Sequence, residues 1–494
     1  MYLVSQILYI FLLLLVLVTV MPLDKEKKPS KYAFVKKSLV VLGILLPVLL
    51  FAPLLCTHGA VDTLKFDSPT QHLFVAIFGV GVITLLAAVV STHYSGNKFL
   101  HGFSIVIAVA SIITSLTFAS FVYVPQFSRS GDVPPQLILT GSHGNEPAVA
   151  LVFYTEKSTV NTIVYDGKTI AEATPSNQHW FNLDLEPGTN HTYSINGQLP
   201  VHFRTPALGK LRFAAAGDSH SGGTGGTNNP LLTLLLGSSG VGNSREDLTA
   251  KMYGIMKSDG YDMIFHLGDA TQYGFSDAHW KNAFRLAAPT TAAIPIDYLP
   301  GNHDTMFGGL GLYKTYLCQN GQGENTCLMK HIQNGNIDLI TLDLEWGLQC
   351  YTSEQQQWLE KELASVPHDH WLIVMSHTFY YSSGLDMEGW TWYDNKDTIK
   401  ALVPLFEKYH VDLVLSGHTH DTEVLKKNGV TYGIFGTFGG IPTPERTYVS
   451  PASVWYKTNV YGFADVNIDG STATLTVRDY NNAVLHKTDL QKNN

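Results

Sequence analysis

The sequence predicts a multi-domain chain: four transmembrane helices, then an all-β sandwich, then an α/β domain. Three observations predict it. Four long apolar stretches without Asp, Glu, Lys or Arg fill the first quarter of the 494 residues. Six short alternating segments follow, divided by turn residues. Beyond residue 208, strand-like apolar runs ending in polar clusters alternate with helix-like segments.

Residues 3–20, 38–55, 73–90 and 103–124 are the apolar stretches. Each approaches the roughly 20 residues that a helix needs to cross a hydrocarbon core. A cleaved signal peptide fits poorly, because the chain begins MYLVSQ without a basic start and its first apolar run leads into DKEKKPSKYAFVKK. Lys25, Lys27, Lys28, Lys31, Lys36 and Lys37 place the first loop in the cytoplasm by the positive-inside rule. Counting spans from there predicts a multi-pass cell membrane protein, with residues 1–125 as its four-helix region. Everything after residue 124 then lies on the outer, periplasmic or extracellular, face. Membrane lipid becomes a partner through the four spans, which read as an anchor because transport of charged cargo usually places ionisable groups inside them. The net charge of -9 offers no basic footprint, which argues against a nucleic-acid partner. Cys318 and Cys327 flank a polar loop that can close as a disulfide, with Cys350 the competing partner.

Residues 134–207 read as a small β-sandwich. LILTG, AVALVFYT, NTIVYDG, HWFNLDL, HTYSING and VHFRT alternate between Gly, Pro, Asn and Ser turns. With LEPGTNHTY and the closing HFRTP, this stretch resembles a fibronectin type III domain.

Residues 208–494 form the α/β part. KLRFAAAGD, YDMIFHLGD, IPIDYLPGNHD, IDLITLDLE, HWLIVMSH and VDLVLSGHTH have the character of buried strands. Residues 245–258, 355–365 and 398–409 have the length and mixed polarity of covering helices. The glycine-rich stretch from Ser221 lacks a following Gly-Lys-Ser/Thr, so it is not a phosphate-cradling P-loop. VTYGIFGTFGG and the final thirty or so residues alternate like antiparallel strands that complete the second sheet.

The chemistry is concentrated where the strand-like runs end. Asp218 with His220, Asp269, Asn302 with His303, His377, and His418 with His420 all occupy such ends, where α/β sheets place their sites. Carboxylate and amide oxygens together with imidazoles suffice for two adjacent divalent or trivalent cations, and this mixed ligation suits Mn, Fe or Zn better than Ca or Mg.

Asp218-Ser-His220, Gly268-Asp269, Gly301-Asn302-His303-Asp304, His377 and Gly417-His418-Thr-His420 resemble the ordered motifs of calcineurin-like metallophosphoesterases. The resemblance implies an α/β domain of the αββα sandwich kind. It implies that Asp218, His220 and His420 hold one metal, that Asn302, His377 and His418 hold the other, and that Asp269 bridges them. His303 would stabilise the transition state or protonate the leaving oxygen, with Asp304 orienting its imidazole. The implied activity is that of a metal-dependent phosphoric ester hydrolase, a phosphatase or phosphodiesterase, in which a metal-bridging hydroxide attacks phosphorus in line. The preceding sandwich makes the chain similar to purple acid phosphatases. Their metal-binding tyrosine, however, would fall at Gln272, one residue before Tyr273, so Tyr273 is expected to be a pocket wall.

The resulting expectation is a membrane-anchored, outward-facing binuclear phosphoesterase acting on phosphate mono- or diesters. The anchor keeps lipid-linked phosphates among its substrates. The alternative is a catalytically silent, metal-dependent sensor of a phosphorylated ligand. Tyr380, Trp390, Trp392 and Tyr393, in the polar segment after His377, are candidates either for the cleft or for ordinary packing.

Overall fold

The computed structural model describes residues 131–222, 244–320, 327–348, 351–387 and 390–492, together with Val106. Two sheets face each other. The first has nine strands in the order Val484–Asp489, Thr472–Asp479, Gly462–Asp469, Lys210–Ala216, Met263–His266, Ile296–Tyr298, Val133–His143, Glu146–Thr159 and Ser176–Leu183. The second has seven, in the order Lys330–Gln333, Ile337–Thr341, Trp371–Met375, Leu413–Ser416, Val430–Phe435, Thr422–Lys427 and Ser453–Lys457. Phe213, Phe265 and Leu211 from one sheet share an inner core with Leu339, Ile373, Leu415 and Phe435 from the other.

Helices cover the outer faces. Met252, Met256, Trp280 and Phe284, from Glu246–Ser258 and Asp277–Thr291, pack with Ala214, Ile264 and Ile296 of the first sheet. Leu359, Leu363, Leu402 and Phe406, from Ser353–Ser365 and Lys396–Lys408, pack with Leu372, Val374 and Val414 of the second. The α/β unit therefore has helix, sheet, sheet and helix layers. The expected covering helices begin and end within about two residues of the observed ones. Asp277–Thr291 was not anticipated, although its buried Trp280, Ala283, Phe284, Ala287 and Ala288 repeat at helical spacing.

The fibronectin type III reading is corrected by strand pairing. Val133–His143 lies parallel to Ile296–Tyr298, with Ile138 opposite Ile296, and antiparallel to Glu146–Thr159. Glu146–Thr159 in turn pairs with Ser176–Leu183. The three longest strands of the expected sandwich thus extend the nine-stranded sheet. Their side chains explain this. Leu137, Leu139, Val149 and Leu151 enter the inner core, while Ile138, Ala150 and Val152 enter the outer one. Burial on both faces belongs to the interior of a layered sheet, whereas a free sandwich wets one face of each sheet. The four short strands, Lys168–Ala171, Thr162–Tyr165, Asn190–Ile195 and Val201–Arg204, form a separate sheet in that order. Toward the other end of the chain Val430–Phe435 joins the second sheet as expected, together with Thr422–Lys427 and Ser453–Lys457. The last three strands complete the first sheet, with Ala464 of Gly462–Asp469 opposite Ala215.

The membrane reading is corrected as well. The four expected spans lie outside the described residues. Among the described residues no helix is long and apolar enough to cross a membrane. The longest described here, Asp277–Thr291, has 15 residues, about 22 Å of rise against a hydrocarbon core of about 30 Å. The described residues therefore give no support to the anchored fold class, to the multi-pass outer-face topology, or to lipid as bilayer partner or substrate carrier. The architecture that stands is the α/β unit.

Cys318 and Cys327 form a disulfide, which decides between the two pairings considered. At an edge of the second sheet, His331 bridges two carboxylates, with Nε2 2.7 Å from Asp338 and Nδ1 2.9 Å from Glu362. Burial works against its charge, but the two carboxylates outweigh burial and raise its pKa above 6.5. A raised folded-state pKa means that this stabilisation is complete below about pH 6.5 and fades as pH rises through the raised value. His331→Gln should therefore lower stability by about 1.5–3 kcal/mol in mild acid, the scale of a hydrogen bond to a charged group. The gap from the parent should close in alkaline solution, as denaturant melts across pH would show. A gap that widens with pH contradicts the assignment.

Candidate metal centre

Each donor leaves the end of a strand in the two facing sheets. Asp218 and His220 follow Lys210–Ala216, Asp269 follows Met263–His266, Asn302 and His303 follow Ile296–Tyr298, His377 follows Trp371–Met375, and His418 and His420 follow Leu413–Ser416. The chain must turn sharply to aim them inward. Asp218, His220, Asp269, His418 and His420 all have left-handed φ, between 47° and 72°. Such a conformation costs a non-glycine residue about 1–3 kcal/mol and persists only where its surroundings hold it. Two glycines make the close approach possible. A Cβ on Gly301 would lie 2.1 Å from the Asp269 nitrogen, and one on Gly268 would lie 2.5 Å from the His377 ring.

Hydrogen bonds select which atom of each side chain faces the centre. The His418 amide donates to Asp218 Oδ2 at 2.9 Å, and the His303 amide to Asp269 Oδ1 at 2.8 Å. Asp218 Oδ1 and Asp269 Oδ2 are left for other partners. His377 Nδ1 donates to the Leu267 carbonyl and His420 Nδ1 to the Ile441 carbonyl, so each presents Nε2. Ligating histidines are usually oriented in this way.

The presented atoms converge in two groups. In the first, Asp218 Oδ1 is 3.4 Å from His420 Nε2 and 3.8 Å from His220 Nε2, and the two Nε2 atoms are 3.0 Å apart. In the second, His377 Nε2 is 3.0 Å from both Asn302 Oδ1 and His418 Nδ1. Asp269 Oδ2 stands between the groups, 3.7 Å from His220 Nε2 and 3.5 Å from His377 Nε2. Donors that share a cation at about 2.1 Å lie roughly 3.0–3.5 Å apart. Asp218 Oδ1 is also buried without a hydrogen-bond partner. The residues therefore fit a pair of ions: this is a candidate binuclear centre for divalent or trivalent metals of the Fe, Zn or Mn kind.

Without ions, the charges are strongly perturbed. Burial pushes the Asp269 carboxyl up, but the surrounding His377, His303 and His220 hold it well below the usual range. Burial and adjacent imidazoles push His220 and His418 far down. Burial also opposes charge on His377, yet Asp269 raises it to about 10. In the first group Asp218 raises His420 against burial, as Asp269 raises His377 in the second.

Two expected roles change in detail. Asp304 does not reach the His303 ring. Its carboxylate accepts the amides of Ala270, Thr271 and Gly301 and the Thr271 hydroxyl, so it clips two turns together. The His303 imidazole is oriented by the Gln272 carbonyl, 2.8 Å from Nδ1. His303 also falls within 4.8 Å of donor atoms of His220 and Asp269, so distance alone does not separate it from the ligands.

Among the aromatic candidates, Tyr380 is core and Tyr393 stacks on Tyr448. The Trp390 side chain lies outside the described residues. Trp392 does reach the site, and sequence reasoning missed its companions Trp346 and Phe379 around His418. Their only signal was an aromatic residue a few positions past a strand end. Tyr273 stacks against Phe275 and His279.

Residues 211–422 match the family model of the calcineurin-like phosphoesterases. The chain is 24% identical to purple acid phosphatase 22 of Arabidopsis thaliana over 356 residues, which cover 63% of this chain and 74% of that protein. It is 28% identical to the Fe(3+)-Zn(2+) purple acid phosphatase 12 of the same plant over 170 residues, 31% of this chain and 34% of that one. The structure of a purple acid phosphatase from yellow lupin (Lupinus luteus) seeds superposes with a TM-score of 0.58 at 17% identity, covering 73% of this chain and 74% of the other. The fold is thus calcineurin-like, and family match and donor set together support hydrolase chemistry in general.

Proposed function

We propose that the chain is a two-metal phosphoesterase hydrolysing phosphate mono- or diesters. The observation that carries this reading is Asp269 Oδ2, a single buried oxygen equidistant within 0.2 Å from an imidazole nitrogen of each group. Asp218, His220 and His420 would hold one ion, Asn302, His377 and His418 the other, and Asp269 both. When bound, the pair would supply Lewis-acid neutralisation of phosphoryl charge and a water acidified toward neutral pH. The protein's own work is to fix geometry and to manage one proton. His303 Nδ1 is committed to the Gln272 carbonyl, which leaves Nε2 to face the ester oxygen as it departs. Asp304 keeps the turns bearing Asp269 and Asn302 in register. The names of the matched plant phosphatases agree with this class.

Stripping the full chain with a chelator should abolish turnover of 4-nitrophenyl phosphate and bis(4-nitrophenyl) phosphate. Reloading with Mn, Zn or Fe should restore it, with two ions per chain by elemental analysis. The preferred ester would tell monoester from diester chemistry. Two bound ions without turnover of any phosphate ester would sink the reading.

A further inference from the structure

We propose that Trp346 and Trp392 form an aromatic wall beside the second donor group that selects phosphate esters carrying a planar aromatic substituent. This rests on the phosphoesterase reading and deepens it. Both indoles are half-buried, and each ring centre lies 5.1 Å from that of His418. They stand 6.4 Å apart at 83°, an edge-to-face pair that makes one corner of the site. Phe379 stacks on His418 as well, at 5.8 Å. Three aromatic rings therefore surround His418 on this side of the site.

The wall is rigidly built. Glu345, the residue before Trp346, accepts the Thr305 hydroxyl at 2.6 Å, which ties the loop to the turn bearing His303. Gly347, the residue after, donates its amide to Thr378 Oγ1 at 2.8 Å, beside His377. Trp392 is fixed from the other side. Asp394 accepts the Ser382 amide and the Ser450 and Tyr448 hydroxyls. Gly384 approaches the Trp392 carbonyl so closely that a Cβ would overlap it. Side chains locked by packing and by neighbouring hydrogen bonds suit recognition better than mobile ones. With no hydrogen-bonding side chain in the pair beyond the indole N–H groups, discrimination would come from stacking and edge contacts with a flat ring.

The test compares phenyl phosphate with glycerol 2-phosphate on the manganese-loaded full chain. In Trp392→Ala the ratio of kcat/KM values, aromatic over alkyl, should fall about tenfold through KM, a stacking contact's worth. Trp392→Phe should recover most of it, and Trp392→Leu, which keeps apolar bulk without any π face, should resemble Ala. An equal loss for both substrates together with loss of metal would overturn the proposal, because the indoles would then merely prop His418. Quenching of tryptophan fluorescence by phenylphosphonate and methylphosphonate, neither of which is an ester, gives a readout independent of turnover. If the parent chain hydrolyses nothing, the phosphoesterase reading fails, and the phosphonates alone decide the wall. Tighter phenylphosphonate binding that weakens in Trp392→Ala supports it; equal affinities or no binding end it.

Discussion

Asp269→Asn is expected to reduce turnover by on the order of 10³-fold or more, at least the loss seen when one preorganised charge-stabilising group is removed, and to lower the metal content below two ions per chain. The substitution replaces one carboxylate oxygen by an NH₂ group and changes almost no volume. Asp269 is 2% exposed, and one of its oxygens already accepts the His303 amide at 2.8 Å. The asparagine carbonyl oxygen must keep that bond, because the amide N–H demands an acceptor. The NH₂ group is thereby turned toward His220 and His377, where it can neither ligate nor balance charge. The loss of a negative charge also removes the principal reason that the buried His377 is held up at about 10. Elemental analysis alongside kcat checks both consequences. Full activity with two ions bound would show that this oxygen does not bridge.

The site was far more legible than its frame. Asp218, His220, Asp269, Asn302, His377, His418 and His420 could be found in the sequence because each follows an apolar run that becomes a buried strand, and strand ends in layered sheets converge. The left-handed φ values of Asp218, His220, Asp269, His418 and His420 and the contacts of Gly268 and Gly301 could not be read, since close approach is a property of pairs of segments. Residues 134–207 misled for a related reason. Short alternating segments indicate strands correctly, but whether the second face meets water or a helix layer depends on partners far along the chain. Val133–His143 meets Ile296–Tyr298, some 160 residues away, and that pairing turns an apparent sandwich into a sheet extension. Asp304 was assigned to its sequence neighbour, whereas three of its four hydrogen bonds go to the turn at 270–271. A buried carboxylate bonds to whichever donors the fold brings to it.

His303→Gln should lower kcat by about 10²–10⁴-fold, the usual contribution of general acid–base catalysis, while both ions remain bound. His303 lies beside His220 of the first group and Asp269. Its ring centre is 4.5 Å from that of His220, nearly perpendicular to it, and its Nδ1 is held by the Gln272 carbonyl. A glutamine retains hydrogen-bonding capacity but cannot deliver a proton at neutral pH. The defect should therefore depend on the leaving group. It should be small for 4-nitrophenyl phosphate, whose phenolate departs readily unprotonated, and large for an alkyl ester, whose alkoxide does not. A defect equal for both would move His303 from the leaving oxygen to the phosphoryl oxygens, where it would stabilise charge without transferring a proton. Loss of an ion would instead make His303 a ligand, as its place beside His220 and Asp269 permits. The leaving-group series and the metal count thus divide three roles that a single rate measurement would leave merged.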